Sequence, residues 1–219
     1  MIKFSKNILA PISTHWNKVA KNFKRDRRGV AAIEMALIFP AMVGMFVGMV
    51  DLSNGLSASR KVTITANTIG DLITQEPGAT TRAAIDGIFT ASLETMKPFN
   101  VSKVKLEVFT FRVNAGGNPV LSWSHVKTLG AGGGANPSCG AAPAVTADMA
   151  DLMTQNNDLI IARACYKFDY MLGKILNMDG LLGNKGKLDG HSSSFTMKEE
   201  MTLRPRRALQ LDCANCTQH

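Results

Sequence analysis

Between Gly29 and Val50 the chain reads GVAAIEMALIFPAMVGMFVGMV, with Glu34 as its one charged residue. A run of about 20 apolar residues is long enough to cross the hydrocarbon core of a bilayer as a helix. Basic residues crowd its N-terminal side and Asp51 closes the other. Pro40 falls mid-run, where a helix in water would lose about 3 kcal/mol, but membrane helices tolerate proline when neighbours satisfy the freed carbonyl. Gly44 and Gly48 form a small-xxx-small pair that lets another helix approach closely. The rest of the fold has to be built to one side of this segment.

Charge says which side. The chain carries a net +8, and residues 1–28 account for +7 of it, through eight Lys and Arg against Asp26. The basic character therefore belongs to the leader, not to a folded face. A nucleic-acid surface would spread its cations over the fold with base-reading or stacking partners, so nucleic acid is not an expected partner. Lys and Arg flanking one end of an apolar span hold that end in the cytoplasm. The sequence thus predicts a single pass through a membrane, with the N-terminus cytoplasmic and the rest of the chain outside the cytoplasm.

The expected organisation follows. Residues 1–29 form a basic cytoplasmic leader, with only a weak amphipathic option through Ile8, Leu9, Ile12, Trp16, Val19 and Phe23. Residues 30–50 form the transmembrane helix. Residues 51–96 hold an amphipathic stalk, with Leu52, Leu56, Ser59, Val62, Ala66, Ile69 and Ile73 at helical spacing, and a second helix from Thr81 to Met96. Glu76-Pro77-Gly78 separates the two. Residues 97–219 form the external antiparallel-sheet domain. Its strands are Val101–Val113, Val120–Leu129, Asp158–Tyr170 and Ser193–Arg204, with a turn at Asn114–Pro119. A Gly/Ala/Pro loop spans Gly130–Ala144, and a short helix over Ala147–Gln155 is capped by Thr146. In Asp158–Tyr170 the even-numbered residues Ile160 to Tyr170 share one face and Arg163, Lys167 and Asp169 the other. The fold class is α+β: a long N-terminal transmembrane and stalk helix packed on a small antiparallel sheet of about four strands.

Cys139, Cys165, Cys213 and Cys216 all follow the span, on the expected external side. Four cysteines there suit two disulfides, and three connectivities are open. The tail position of the last two favours Cys139 with Cys165 and Cys213 with Cys216; a Cys165–Cys213 link would reject that choice. Cys213-Ala-Asn-Cys216 has the spacing of a redox or zinc half-motif. A zinc site needs two more ligands at suitable spacing, and a redox motif belongs where a strand opens into a helix.

Little else carries chemistry. His15, His125, His191 and His219 are scattered, and there is no His-Glu-x-x-His. Gly186-Lys187 is followed by Leu188, with Leu181 where a phosphate-binding loop needs its first glycine. Enzymatic activity, metal and cofactor are not expected. A secreted protein with an ordinary signal peptide would need a shorter apolar core and a small-x-small cut site.

Glu34 is the residue that asks for a reason, because a carboxylate in hydrocarbon costs several kcal/mol. It can snorkel to the nearby interface, or it can meet a cation. A cut after Gly29 would give Val30 a new α-ammonium, and a neighbouring molecule's ammonium could neutralise Glu34 in an assembled bundle.

Basic residues, glycine, four small or apolar residues, glutamate and a long apolar helix resemble the processing signal of type IV pilins and pseudopilins. RRGVAAIEMALIFPAMVGMFVGMVDLS, continuing weakly through Arg60–Ile69, is similar to the TadE/TadG family of the tight-adherence (Flp) pilus system. The resemblance covers about a quarter of the chain. It implies cleavage by a prepilin peptidase between Gly29 and Val30, and Glu34 at mature position five. It further implies a pilin-like fold, a place in the bacterial inner membrane with the C-terminal domain in the periplasm, and a minor, pseudopilin-like role in building an adhesive Flp/Tad type IV pilus. The implied partners are other pilins or pseudopilins, the inner-membrane assembly platform and the peptidase. The alternative is a single-pass envelope protein whose external domain binds a ligand or the cell wall.

Overall fold

One helix, α1, runs without a break from Arg28 to Thr74, 47 residues that include Pro40. At 1.5 Å per residue it is about 70 Å long, more than twice a hydrocarbon core. The computed structural model describes residues 28–114, 117–129, 137–146, 153, 157–171 and 194–219. The leader helix option, the Ala147–Gln155 helix, and most of the connection between Met171 and Gly190 lie outside the described residues. The chain divides after Val47 into two compact units, the second running from Gly48 to His219.

The second unit is an α+β assembly. After α1 come β1 (Ala79–Thr81), α2 (Arg82–Leu93), β2 (Val104–Val113), β3 (Pro119–Thr128), β4 (Leu159–Asp169), β5 (Ser194–Leu203), β6 (Asp212–Ala214) and β7 (Thr217–Gln218). The antiparallel sheet has five strands in the order β5-β4-β2-β3-β7. It contains the four long strands expected, as two hairpin-like pairs joined between β2 and β4. The fifth, β7, pairs Thr217 with Ser124 and Gln218 with Trp123. A separate parallel pair joins β1 to β6, Thr80 opposite Cys213. Both short strands draw on the tail, whose sequence shows no alternation to announce them.

Local chemistry explains the boundaries. Gly78 has φ +95°, a left-handed conformation that favours glycine, and turns the chain from α1 into β1. Its carbonyl accepts a bond from the Asp212 amide at 3.0 Å. Thr81 caps α2 by accepting from the Ala84 amide at 3.2 Å. A 3-10 turn over Glu94–Met96 and the cis Lys97–Pro98 bond end that helix region. Residues Val101–Lys103, expected as strand, form another 3-10 turn, because the Asn100 side chain accepts from the Ser102 amide at 3.0 Å. The β2–β3 turn is closed by Asn114, whose side chain accepts from the Asn118 amide at 2.9 Å.

The main core lies between α1, α2 and one sheet face. Ala58, Val62, Ala66, Ile69 and Ile73 of α1 are buried with Leu106, Val108, Ala162 and Ala164. A Cβ on Gly70 would lie 2.5 Å from Leu203 Cδ1 and 3.6 Å from Ala162 Cβ, so hydrogen at this position sets how closely helix and sheet approach. Ile85, Phe89 and Leu93 of α2 extend the core, and the Thr65 and Thr95 hydroxyls meet at 2.7 Å between α1 and the turn after α2. Leu52 and Leu56, expected on this buried stripe, are 65% and 56% exposed. Burial of α1 begins at Ala58 instead, because beside Leu52 and Leu56 the strand ends leave a cavity rather than a packed layer.

The other sheet face, on which the alternation places Arg163, is covered too. Phe109, Phe111, Met153, Leu159 and Ile161 make a second buried cluster there. Arg163 and Glu107, opposite each other in register, are buried at 2% and 4% exposure.

Candidate functional site: the apolar half of the long helix

The sequence places its functional weight on residues 29–50, and the local structure accounts for that. Leu37 is 81% exposed, Met45 73% and Ile33 72%, while Phe39 and Phe46 are exposed as well. None of the most apolar stretch is buried. A helix that is apolar all round needs a non-aqueous surrounding, either lipid or other helices. Among the described residues this is the one helix long and apolar enough to cross a membrane. Pro40 removes the bond to the Ala36 carbonyl, yet the helix continues through it.

Gly29, Val30 and Glu34 lie on the first turns of α1. Val30 is 51% exposed, and Glu34 is exposed. The structure keeps Gly29 and Glu34 on one helix, about 7.5 Å apart along its axis at the standard rise. A Cβ on Gly29, Gly44 or Gly48 would meet nothing within 4 Å, so each leaves open backbone for a close neighbour.

The cysteines pair as Cys139–Cys165 and Cys213–Cys216. Each bond sits in a network the sequence did not announce. Cys139 belongs to a loop laid over the outer sheet face. There Arg163 Nη1 donates to Glu107 Oε2 at 3.0 Å and to the Ala141 carbonyl at 2.8 Å. Its Nη2 is 2.6 Å from Glu200 Oε1, and its guanidinium lies 5.3 Å from the Phe109 ring centre. One arginine thus neutralises a buried glutamate and ties down the loop that the disulfide also holds. Breaking such a buried pair leaves an uncompensated charge, which costs about 3–5 kcal/mol.

The Cys213–Cys216 bond sits in a tail that is built into the fold. Asp158, fully buried, accepts both Arg112 bonds at 2.8 Å and the Leu211 amide at 2.8 Å. Arg112 also reaches Asp212 at 2.9 Å, and these bonds hold its guanidinium well above its ordinary pKa despite partial burial. The buried Trp123 indole donates to the Leu211 carbonyl at 2.7 Å. At the other end of the tail, Arg206 donates to the Thr74 carbonyl through its amide and to Asp71 through its side chain at 2.6 Å.

The two described histidines also fall into structural roles. His125 is 5% exposed, stacks on Phe89 and bonds to Asp86 at 3.1 Å. Burial pushes the Asp86 carboxyl up, but the His125 bond and the Lys127 charge outweigh it and hold the group below its ordinary value. His219 bonds to Ser124 at 2.9 Å. His15 and His191 lie outside the described residues. Among the described residues no group of three or more His, Cys, Asp or Glu could hold a metal ion.

Residues 29–69 match the protein-family model described as TadE-like protein. The chain therefore carries a TadE-like segment, and this segment contains Gly29, Glu34, the whole apolar run and the first part of the packed half of α1. The match supports a protein associated with the Tad pilus system, anchored in a membrane by a single helix. Comparison with curated proteins and with solved structures gave no significant match.

Proposed function

We propose that this protein is a minor, pseudopilin-like component in the biogenesis of an adhesive Flp/Tad pilus and acts through the N-terminal half of α1. The observation that carries the reading is the coincidence of the TadE-like match with the uncovered apolar half of one continuous helix. The basic leader stays in the cytoplasm, the helix sits in the inner membrane, and the disulfide-tied domain folds in the periplasm. A prepilin peptidase cuts between Gly29 and Val30. The new ammonium of one molecule neutralises Glu34 of its neighbour, which removes the cost of a lone carboxylate in hydrocarbon and sets the register between helices. The partners are other pilins or pseudopilins and the assembly platform. The role is structural rather than enzymatic.

Sequencing the N-terminus of the mature protein tests the cut. Val30 is the expected first residue. Met1 would overturn processing and leave a plain envelope anchor, and a start beyond about residue 55 would overturn the anchor as well. The expected effect of Glu34→Lys is loss of pilus assembly with the folded domain intact; unimpaired assembly would reject the charge pairing.

A further inference from the structure

The last residues of the apolar run open onto a cavity of about 450 Å³ within the second unit. One wall is α1 from Gly48 to Ser59, including Leu52, Gly55 and Leu56. The other is formed by Phe168 and Tyr170 at the end of β4 and by Phe195 and Met197 on β5. The volume falls in the range of small-molecule sites. Its surface is almost all hydrocarbon and aromatic, with Asp51, Ser59 and Tyr170 as the polar side chains on it. Asp51 Oδ1 accepts the Met171 amide at 2.9 Å, which joins the two walls. Leu52 and Leu56 remain more than half exposed and Phe195 is 49% exposed, so the cleft presents apolar surface that water covers unfavourably.

We propose that this cleft takes an acyl chain of a phospholipid from the bilayer that holds the span. Position along the chain gives the first reason. Gly48 to Val50 end the apolar run, and Gly48 already lines the cleft, so lipid chains are at hand where it begins. Width gives the second. A Cβ on Gly55 would already touch Phe168 Cε1 at 3.9 Å, so helix and strand close on each other at the floor and leave no room there for a helix of about 10 Å diameter. Tyr170 gives the third, since an apolar ring with a polar tip suits the depth where chains meet headgroups. This rests only on the membrane-anchor part of the function proposed above, not on cleavage or pilus assembly.

The test uses the full chain in phosphatidylethanolamine/phosphatidylglycerol nanodiscs containing a phospholipid with a photoactivatable diazirine on its acyl chain. Peptide mapping after illumination is expected to find adducts in the span and also on the peptides holding Phe168–Met171 and Phe195–Met197. Gly55→Leu fills the floor and is expected to cut the strand adducts about fivefold while the span adducts stay constant. Leu56→Ser, at an exposed position, is expected to cut them about threefold and serves if the first variant does not fold. A labelled span with unlabelled strands overturns the proposal, as does strand labelling that both folded variants leave unchanged. A photoreactive residue at Leu56 that captures a second copy instead of lipid assigns the cleft to self-association and overturns it too. An unlabelled span would instead reject the anchor itself, so the two failures are distinguishable.

Discussion

The two halves of α1 share one unbroken hydrogen-bonded helix and differ in almost everything else. From Val30 to Val47 apolar residues point in all directions and none is buried. From Ala58 to Thr74 the apolar residues other than the half-exposed Ile64 concentrate on one stripe, and Ala58, Ile69 and Ile73 are fully buried. Lys61, Asn67 and Asp71 occupy the rest of that surface. Apart from the bond that Pro40 removes, backbone bonding is the same in both, so the side-chain pattern tells which half is meant for a sheet and which for lipid or other helices. A stripe can be satisfied within one chain, whereas an all-round apolar surface can be satisfied only from outside it.

The sharpest way to break this comparison is to truncate one large side chain in each half. Ile69→Ala should destabilise the folded domain by about 2–5 kcal/mol. Leu37→Ala, 81% exposed, should leave it unchanged within about 0.5 kcal/mol. Thermal unfolding of the full chain in detergent, followed by near-UV circular dichroism, reads both. Equal losses would mean that the apolar half is also part of the domain core.

A smaller effect separates the glycines. Gly70→Ala places a methyl against Leu203 Cδ1, the end of a side chain that can turn aside, and should lower stability by no more than about 1 kcal/mol once the gain in helix propensity is counted. Gly44→Ala meets nothing within 4 Å and should cost nothing in the same assay. Combining Gly70→Ala with Leu203→Ala should make the two losses less than additive, because both act on one contact.

The smallest effect concerns the clamp of α2 on β3. Asp86 has a depressed pKa against an ordinary value of 3.8, so its contribution is present above that value and disappears as pH falls through the folded-state pKa. The stability difference between the parent chain and Asp86→Asn should therefore shrink on acidification from about pH 5 to pH 3. Denaturant titrations at the two pH values check this; a difference that grows towards acid would reverse the assigned sign.

Much of the fold was legible because it depends on periodicity. The apolar run, the stripe from Val62 to Ile73, the helix starting near Thr81 and the four long strands each carry their own pattern within a dozen or so residues. The covered outer face did not. Arg163 reads only as a residue on the face opposite Ile160 to Tyr170, and only the register that sets it opposite Glu107 shows a buried pair. The tail was missed for a related reason. Its strands are two and three residues long, and it is held by Arg112, Asp158 and Trp123, which lie far away in sequence. Leu52 and Leu56 continue the helical spacing of the buried stripe, yet spacing cannot say where the sheet stops covering it.

The sequence by itself determined that this protein has one helix apolar enough to cross a membrane, flanked by charge and followed by an amphipathic half and an antiparallel sheet. These are local properties, written in runs and repeats that any short window displays. The tertiary structure alone decided which charges are buried and where α1 parts from the sheet to leave an apolar cleft. Those outcomes depend on register and on distances between residues remote in the chain, which no short window contains.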